Sequence, residues 1–222
     1  DGLALPMLPD LGRHAARLRI AALIHLPLAL EVGLHPDEAS RLDGVERRAL
    51  AAASLVIVTG RTTMEWLERR GVARQRMALV EPGTDPAPIA RGSQSDEVAL
   101  LSVGALTPGK GHEALVRALA AVPARGWTLT CAGSTDRDSR TAGRVRALVH
   151  DLGLSRQVTL AGELDDARLA ERYDRSDVFV LATLRETYGM AVAEATARGL
   201  PVVSTTVGAI PEIGGGGGLL AA

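Results

Sequence analysis

A chain of 222 residues in which 46% of the side chains are apolar holds enough material for one large or two modest packed domains. Its 25 basic and 26 acidic residues leave a net charge of -1, which argues against nucleic acid or an anionic membrane surface as a partner. Aromatic residues make up only 2%, too few for base-stacking platforms or for aromatic sugar-holding ridges, so any recognition of a sugar has to be polar.

In chain order, LRIAALIH (18–25), SLVIVTG (54–60) and RMALVEPG (76–83) predict strands, with helices at about 37–53 and 61–70 between them. Residues 81–96, EPGTDPAPIARGSQSD, are rich in Pro, Gly, Ser and charge and carry no periodicity, which predicts an interdomain linker. Beyond it the pattern predicts strand 98–104, helix 111–122, strand 127–132, helix 140–152, strand 157–161, helix 165–174, strand 177–183, helix 188–198 and strand 201–205. Short apolar runs alternating with helices mean a parallel sheet covered by helices, so the fold class is α/β. The expected organisation is a Rossmann-like domain over residues 1–92 and a nearly complete doubly wound domain over 97–222. Three strands are few for the first, and the last strand lacks a covering helix, so the first is expected to be partial and the second truncated at its C-terminus. The one low-complexity feature is the run Gly214 to Gly218.

Three groups of residues carry chemistry. Glu186 follows the run DVFVLATL and precedes MAVAEATA, which places it in a strand-to-helix loop, while Glu194 falls inside the helix. Eight helical residues span roughly 12 Å. Two carboxylates so spaced suit the hydroxyls at the two ends of a nucleotide diphosphate sugar lying across the mouth of a parallel sheet, one taking the sugar and the other the ribose. The third group is the loop from Gly104 to Gly111, between the strand VALLSV and the helix HEALVRALAAV. Backbone amides at a helix N-terminus together with one ammonium form an anion site, so Gly109, Lys110 and Gly111 are expected to bind phosphate. Lys110 is the only lysine in the chain. The loop falls one residue short of a P-loop, because Gly111 stands where the magnesium-binding hydroxyl would be, and this argues against an NTPase. The plain structural alternatives are a glycine turn with a solvated lysine, a capping carboxylate at Glu186 and a solvated helix face at Glu194. What weighs against them is that all three groups fall at the carboxyl edge of one inferred sheet, where open α/β folds bind ligands. Gly189, beside Glu186, would free backbone amides to approach a diphosphate.

Taken together, these residues resemble the retaining glycosyltransferases of the GT-B fold, in particular glycosyltransferase family four. The residues that carry the resemblance are Gly104-Ala105-Leu106-Thr107-Pro108-Gly109-Lys110-Gly111, Glu186-Thr187-Tyr188-Gly189-Met190, Glu194-Ala195, Gly199-Leu200-Pro201-Val202-Val203 and Gly208-Ala209-Ile210-Pro211-Glu212. The resemblance covers residues 97–213 well and 19–85 more loosely. It implies retaining, metal-independent transfer of a sugar from a UDP- or GDP-sugar, held mainly by the second domain, to an unidentified small-molecule, glycan or lipid acceptor, with no other cofactor. Lys110 would contact the diphosphate, Glu186 the donor sugar and Glu194 the ribose, with Gly162-Glu163-Leu164 lining the nucleobase. Thr187, Tyr188, Gly189 and Met190 would complete the donor site together with Gly104. His25, at the end of a strand, matches a histidine that these enzymes place near donor and acceptor; Lys110, Glu186 and His25 are therefore the candidate catalytic residues. Ala105 departs from the family, many members of which carry an arginine there that shares the diphosphate with the lysine. Neutralisation then rests on Lys110, backbone amides and a distant arginine such as Arg61. The Gly-rich loop that opens the first domain of such enzymes, and their C-terminal crossing helices, do not appear.

Other readings remain open on the sequence: a nucleotide-sugar epimerase, a non-catalytic nucleotide-sugar-binding module, a pyridoxal phosphate phosphorylase using Lys110, and, ranked last because no GxGxxG follows a strand, a nicotinamide dehydrogenase. His14, His35, His112 and His150 share no metal-ligand spacing, and Asp136-Arg137-Asp138 reads as solvated, so no required metal is expected. A lone cysteine, Cys131, excludes an internal disulfide and fits a reducing compartment. No apolar run approaches the roughly 20 residues of a membrane-spanning helix, and Asp1 opens no signal peptide, so a cytoplasmic protein without an integral membrane segment is the expectation.

Overall fold

The computed structural model describes residues 17–123, 126–213 and 218–221. His14 and most of the Gly214 to Gly218 run lie outside the described residues. Contacts divide the chain into two units, one running to Gly83 and including Glu186–Tyr188, the other from Thr84 to Arg185 and from Gly189 onward.

In the first unit, β1 (Ala21–Ile24), β2 (Leu55–Val58) and β3 (Met77–Leu79) pair in parallel in the order β1-β2-β3. A 3-10 turn, Leu28–Leu30, leads from β1 towards α1 (Pro36–Ala52), and α2 (Arg61–Glu68) connects β2 to β3. Helix α1 starts where it does for local reasons: Pro36 is pre-set for the first helical position, the His35 imidazole accepts from the Asp37 amide, and Asp37 and Glu38 lie at the positive end of the helix dipole. Ile24, Ala49, Leu50, Val56, Val58, Met64 and Leu67 form a core shared by sheet and helices.

The second unit alternates strand and helix throughout. Its strands are β4 (Val98–Val103), β5 (Trp127–Ala132), β6 (Val158–Gly162), β7 (Val178–Leu181), β8 (Val202–Thr205) and β9 (Gly218–Ala221). Between them run α3 (His112–Ala120), α4 (Ser139–Asp151), α5 (Asp166–Asp174), α6 (Met190–Ala197) and the single turn α7 (Ile210–Ile213). All neighbours pair in parallel, in the order β6-β5-β4-β7-β8-β9. Leu100 and Leu101, adjacent in β4, belong to two separate cores: Leu100 packs with Val116, Leu129 and Val145, Leu101 with Phe179, Leu181, Val192 and Ile210. Successive strand residues point to opposite faces, so a sheet with helices on both sides needs apolar residues at consecutive positions. This is the doubly wound arrangement that the alternating pattern predicts. The chain order reverses between β4 and β7, and the crevice beyond the carboxyl ends of those two strands is where such folds hold ligands.

Three features differ from the pattern-based expectation. Strand β9 adds to the edge of the sheet although its glycine-rich surroundings show no alternation. Strand β7 ends at Leu181 rather than 183, because Thr183 and Leu184 turn away to bond the Gly109 carbonyl. The stretch read as a linker is in part docked on the second unit: Ala90 donates to the Arg198 carbonyl at 2.9 Å, Gly92 to the Asp174 carbonyl at 3.0 Å and Ser93 to Asp177 Oδ1 at 2.9 Å. The Arg91 guanidinium also grips the Asp174 carboxylate. These are backbone and charge contacts, which impose no apolar period on the sequence.

Candidate functional site

After β4 the chain leaves through Gly104, passes a 3-10 turn at Pro108–Lys110 and enters α3 through Gly111. Gly111 has φ +65°, and a Cβ there would lie 1.9 Å from the Ala182 carbonyl oxygen, so only glycine fits between this turn and the chain leaving β7. The same two segments are bonded to each other. Leu184 N–H donates to Gly109 O at 2.8 Å, while the buried Thr183 hydroxyl sits 2.9 Å from Gly109 O and 2.8 Å from Arg185 O. Thr183 O in turn accepts from the Thr205 hydroxyl at the end of β8. Hydrogen bonds thus tie the two loops that flank the switch point into one assembly.

Lys110 rides on that assembly. Its stem passes over Gly104, with Cδ 3.4 Å from where a Cβ on Gly104 would stand, and the residue is half-buried. Among the described residues no side chain caps the first amides of α3, and Lys110 closes the turn that leads directly into that end of the helix. Glu113, the acidic residue in the first turn of α3, is committed to Arg144 at 2.8 Å. His112 is the first helical residue and is 1% exposed, with no hydrogen-bond partner for either ring nitrogen among the described residues. Burial first, and the neighbouring Lys110 charge second, pull its imidazole down to about 4, which keeps it neutral at neutral pH.

Glu194 lies on α6 and is half-buried rather than solvated. Its Oε2 accepts a 2.9 Å hydrogen bond from the Tyr173 hydroxyl, and Tyr173 itself is wholly buried at the end of α5. The Arg198 guanidinium covers the Tyr173 ring at 4.5 Å and donates to Glu194 O at 3.1 Å. Reading the sequence missed both Tyr173 and Thr183. A signal for Tyr173 does exist, since it is the only aromatic residue in the helix DARLAERYD and the one residue of that helix that is buried.

Glu186 does not cap α6. That helix begins at Gly189, φ +106°, with no side-chain cap, and Glu186 Oε1 accepts instead from the adjacent Thr187 amide at 3.3 Å. Glu186, Thr187 and Tyr188 are half-buried and Met190 exposed. Glu163 is exposed, between Gly162, φ +70° at the end of β6, and Leu164, which packs on the core. His25 is exposed directly after β1, in the first unit. Asp138, read as solvated, is the N-cap of α4 and accepts from the Thr141 amide and hydroxyl, both at 2.9 Å. A cavity of about 570 Å³ opens elsewhere, lined by Arg91, Gly92, Ser93, Gln94 and Arg175. Asp177 joins Ser93 to the first residues of β4, so this hollow lies at the amino edge of the sheet, opposite the switch-point loops. No helix among the described residues is long and apolar enough to cross a membrane.

Comparison with known proteins agrees with this architecture. Residues 97–222 match the family model described as glycosyl transferases group 1. A D-inositol 3-phosphate glycosyltransferase 2 of Catenulispora acidiphila is 29% identical over 199 residues, covering 82% of this chain and 47% of its own length. An uncharacterized glycosyltransferase of Methanocaldococcus jannaschii is 37% identical over 124 residues, 55% of this chain and 30% of its own. The chain thus spans about half the length, or less, of these relatives. Among solved structures, Anabaena HepE in complex with UDP and glucose superposes with a TM-score of 0.84 at 20% identity, over 100% of this chain and 62% of that one. Sucrose-phosphate synthase from Thermosynechococcus elongatus superposes with a TM-score of 0.79 at 27% identity, over 96% of this chain and 57% of that one. The backbone is that of a GT-B glycosyltransferase. With more than half of its residues matched by the family model, the chain belongs to the glycosyl transferases group 1 family.

Proposed function

We propose that the chain serves retaining transfer of a sugar from a nucleoside diphosphate sugar, with the diphosphate held at the turn Gly109–Gly111. The observation that carries this reading is the place of Lys110 at the end of the turn that leads into α3, whose first amides no side chain caps among the described residues, on a turn clamped to the chain leaving β7. The costly event in such a transfer is departure of a diphosphate whose negative charge grows as an oxocarbenium-like centre forms. Cationic and amide donors fixed before the reaction stabilise that charge without reorganising. Glu194 takes the ribose, Glu186 the hydroxyls of the donor sugar, and the segment Gly162–Leu164 the base, while His25 serves near donor and acceptor. Retention then proceeds with the departing phosphate accepting the proton of the acceptor hydroxyl, so that no carboxylate need attack the sugar. Uridine is the base to test first, because the similar HepE is solved with UDP and with UDP-glucose. A polyol phosphate is the first acceptor class to test, because several relatives are D-inositol 3-phosphate glycosyltransferases.

Calorimetric titration of the chain with UDP and with uridine tests the reading. Lys110→Ala is expected to weaken UDP by roughly tenfold or more, the loss of one charge-assisted contact, and to leave uridine unchanged. Equal UDP affinity in the two proteins would remove the diphosphate from this turn. In the full-length enzyme Lys110→Ala and Glu186→Ala are each expected to abolish most transfer, and near wild-type turnover in either would contradict the assigned role.

A further inference from the structure

The carboxylate of Glu194 has a partner that the sequence motif does not contain. Tyr173 comes 21 positions earlier in the chain, at the end of α5, and its hydroxyl reaches Glu194 Oε2 at 2.9 Å and Ala191 O at 3.3 Å. The ring is 0% exposed, stacks at 6.1 Å on Phe179 and is covered by the Arg198 guanidinium, so it has no freedom to follow a moving glutamate. A glutamate on a helix surface otherwise samples several rotamers, and each must be given up when a ligand is bound. We propose that Tyr173 is a positioning residue for nucleotide binding: its buried hydroxyl fixes Glu194 through Oε2 and so presents the carboxylate ready-made to the paired hydroxyls of a ribose.

This inference rests on the reading that Glu194 takes the ribose. An ionised carboxylate accepts about four hydrogen bonds, so one donated by a phenol leaves capacity for two vicinal hydroxyls. Burial, and then the Glu194 charge, push the phenol well above its usual range, so Tyr173 keeps its proton and acts only as donor. Arg198, by bonding Glu194 O and covering the ring, ties the two elements into one block.

The test compares binding of UDP with that of 2′,3′-dideoxy-UDP, in the wild-type chain and in Tyr173→Phe, which keeps the ring and removes the hydroxyl. Wild type is expected to prefer UDP by about tenfold, the contribution of hydrogen bonds to a charged group, and Tyr173→Phe to lower that preference to about threefold or less while binding the dideoxy analogue as wild type does. If wild type shows no preference, Glu194 does not hold the ribose and the underlying reading fails. If wild type prefers UDP and Tyr173→Phe keeps that preference, or weakens both ligands equally, the tyrosine is structural only and this inference fails. A crystal structure of the wild-type chain with UDP decides the question without a variant. Ribose hydroxyls on Glu194 with the Tyr173 bond intact support positioning, and a Glu194 swung away from Tyr173 to meet the ribose overturns it.

Discussion

Acidification is expected to destabilise the second unit through His112. The native imidazole, buried and without a partner for either nitrogen among the described residues, has its pKa lowered from the ordinary 6.5 to about 4. In the unfolded chain it protonates near 6.5, so between those values the unfolded state binds a proton that the native state refuses. The depressed native pKa therefore supplies stability that is present at neutral pH and lost as pH falls. The slope in this window is about 1.4 kcal/mol per pH unit, so lowering the pH from 6.5 to 5 costs about 2 kcal/mol. His112→Leu removes the titrating group and keeps a buried apolar volume. Native-state hydrogen exchange of the α3 amides, corrected for intrinsic rates, reads the second unit by itself. Between pH 7 and pH 5 the wild type is expected to lose about 2 kcal/mol more protection free energy than His112→Leu. Equal losses in the two proteins would show that His112 is protonated in the native state or reached by water, and would refute the argument.

Glu46 in α1 should behave with the opposite sign. It is 1% exposed, its Oε1 accepts from the Leu28 amide at 3.1 Å, and burial, the main cause, pushes its carboxyl up to about 6 against a bond from Leu28 that lowers it. A raised native pKa gives stability that is full below 4.5 and lost as pH rises through 6, about 2 kcal/mol in all. Glu46→Gln should flatten that dependence in the exchange of the α1 amides, and an unchanged profile would place the titration elsewhere. Gly111→Ala should be among the most damaging single substitutions, since its Cβ would stand 1.9 Å from a backbone oxygen at φ +65°. A loss of roughly 2–4 kcal/mol is expected in chemical denaturation, with UDP binding lost as the two loops part, and a loss under 1 kcal/mol would mean that the turn is not held there.

How much of this was legible in the chain follows from what each residue's neighbours encode. The turn Gly104 to Gly111 announced itself because glycines, a proline and the sole lysine follow a strand and precede a helix, all within one short stretch. Glu186 and Glu194 were legible as loop and helix residues for the same reason, but not in detail. The plain alternatives, a capping carboxylate at Glu186 and a solvated face at Glu194, follow from local pattern alone, whereas Glu186 accepts from the Thr187 amide and Glu194 from a tyrosine on another helix. Asp138 shows the reverse case, since its N-cap spacing, three residues before its partner Thr141, is written in the local sequence.

The sequence by itself determined the kinds and order of elements, since the period of apolar side chains reports which face of a strand or helix leaves water. It also determined where glycine, proline and charge gather. Only the tertiary structure decided the strand order β6-β5-β4-β7-β8-β9, hence the position of the switch point, along with the Thr183 clamp, the docked linker and the Tyr173 grip on Glu194. Those depend on hydrogen bonds and packing between residues far apart along the chain, and such contacts leave no mark on any local period.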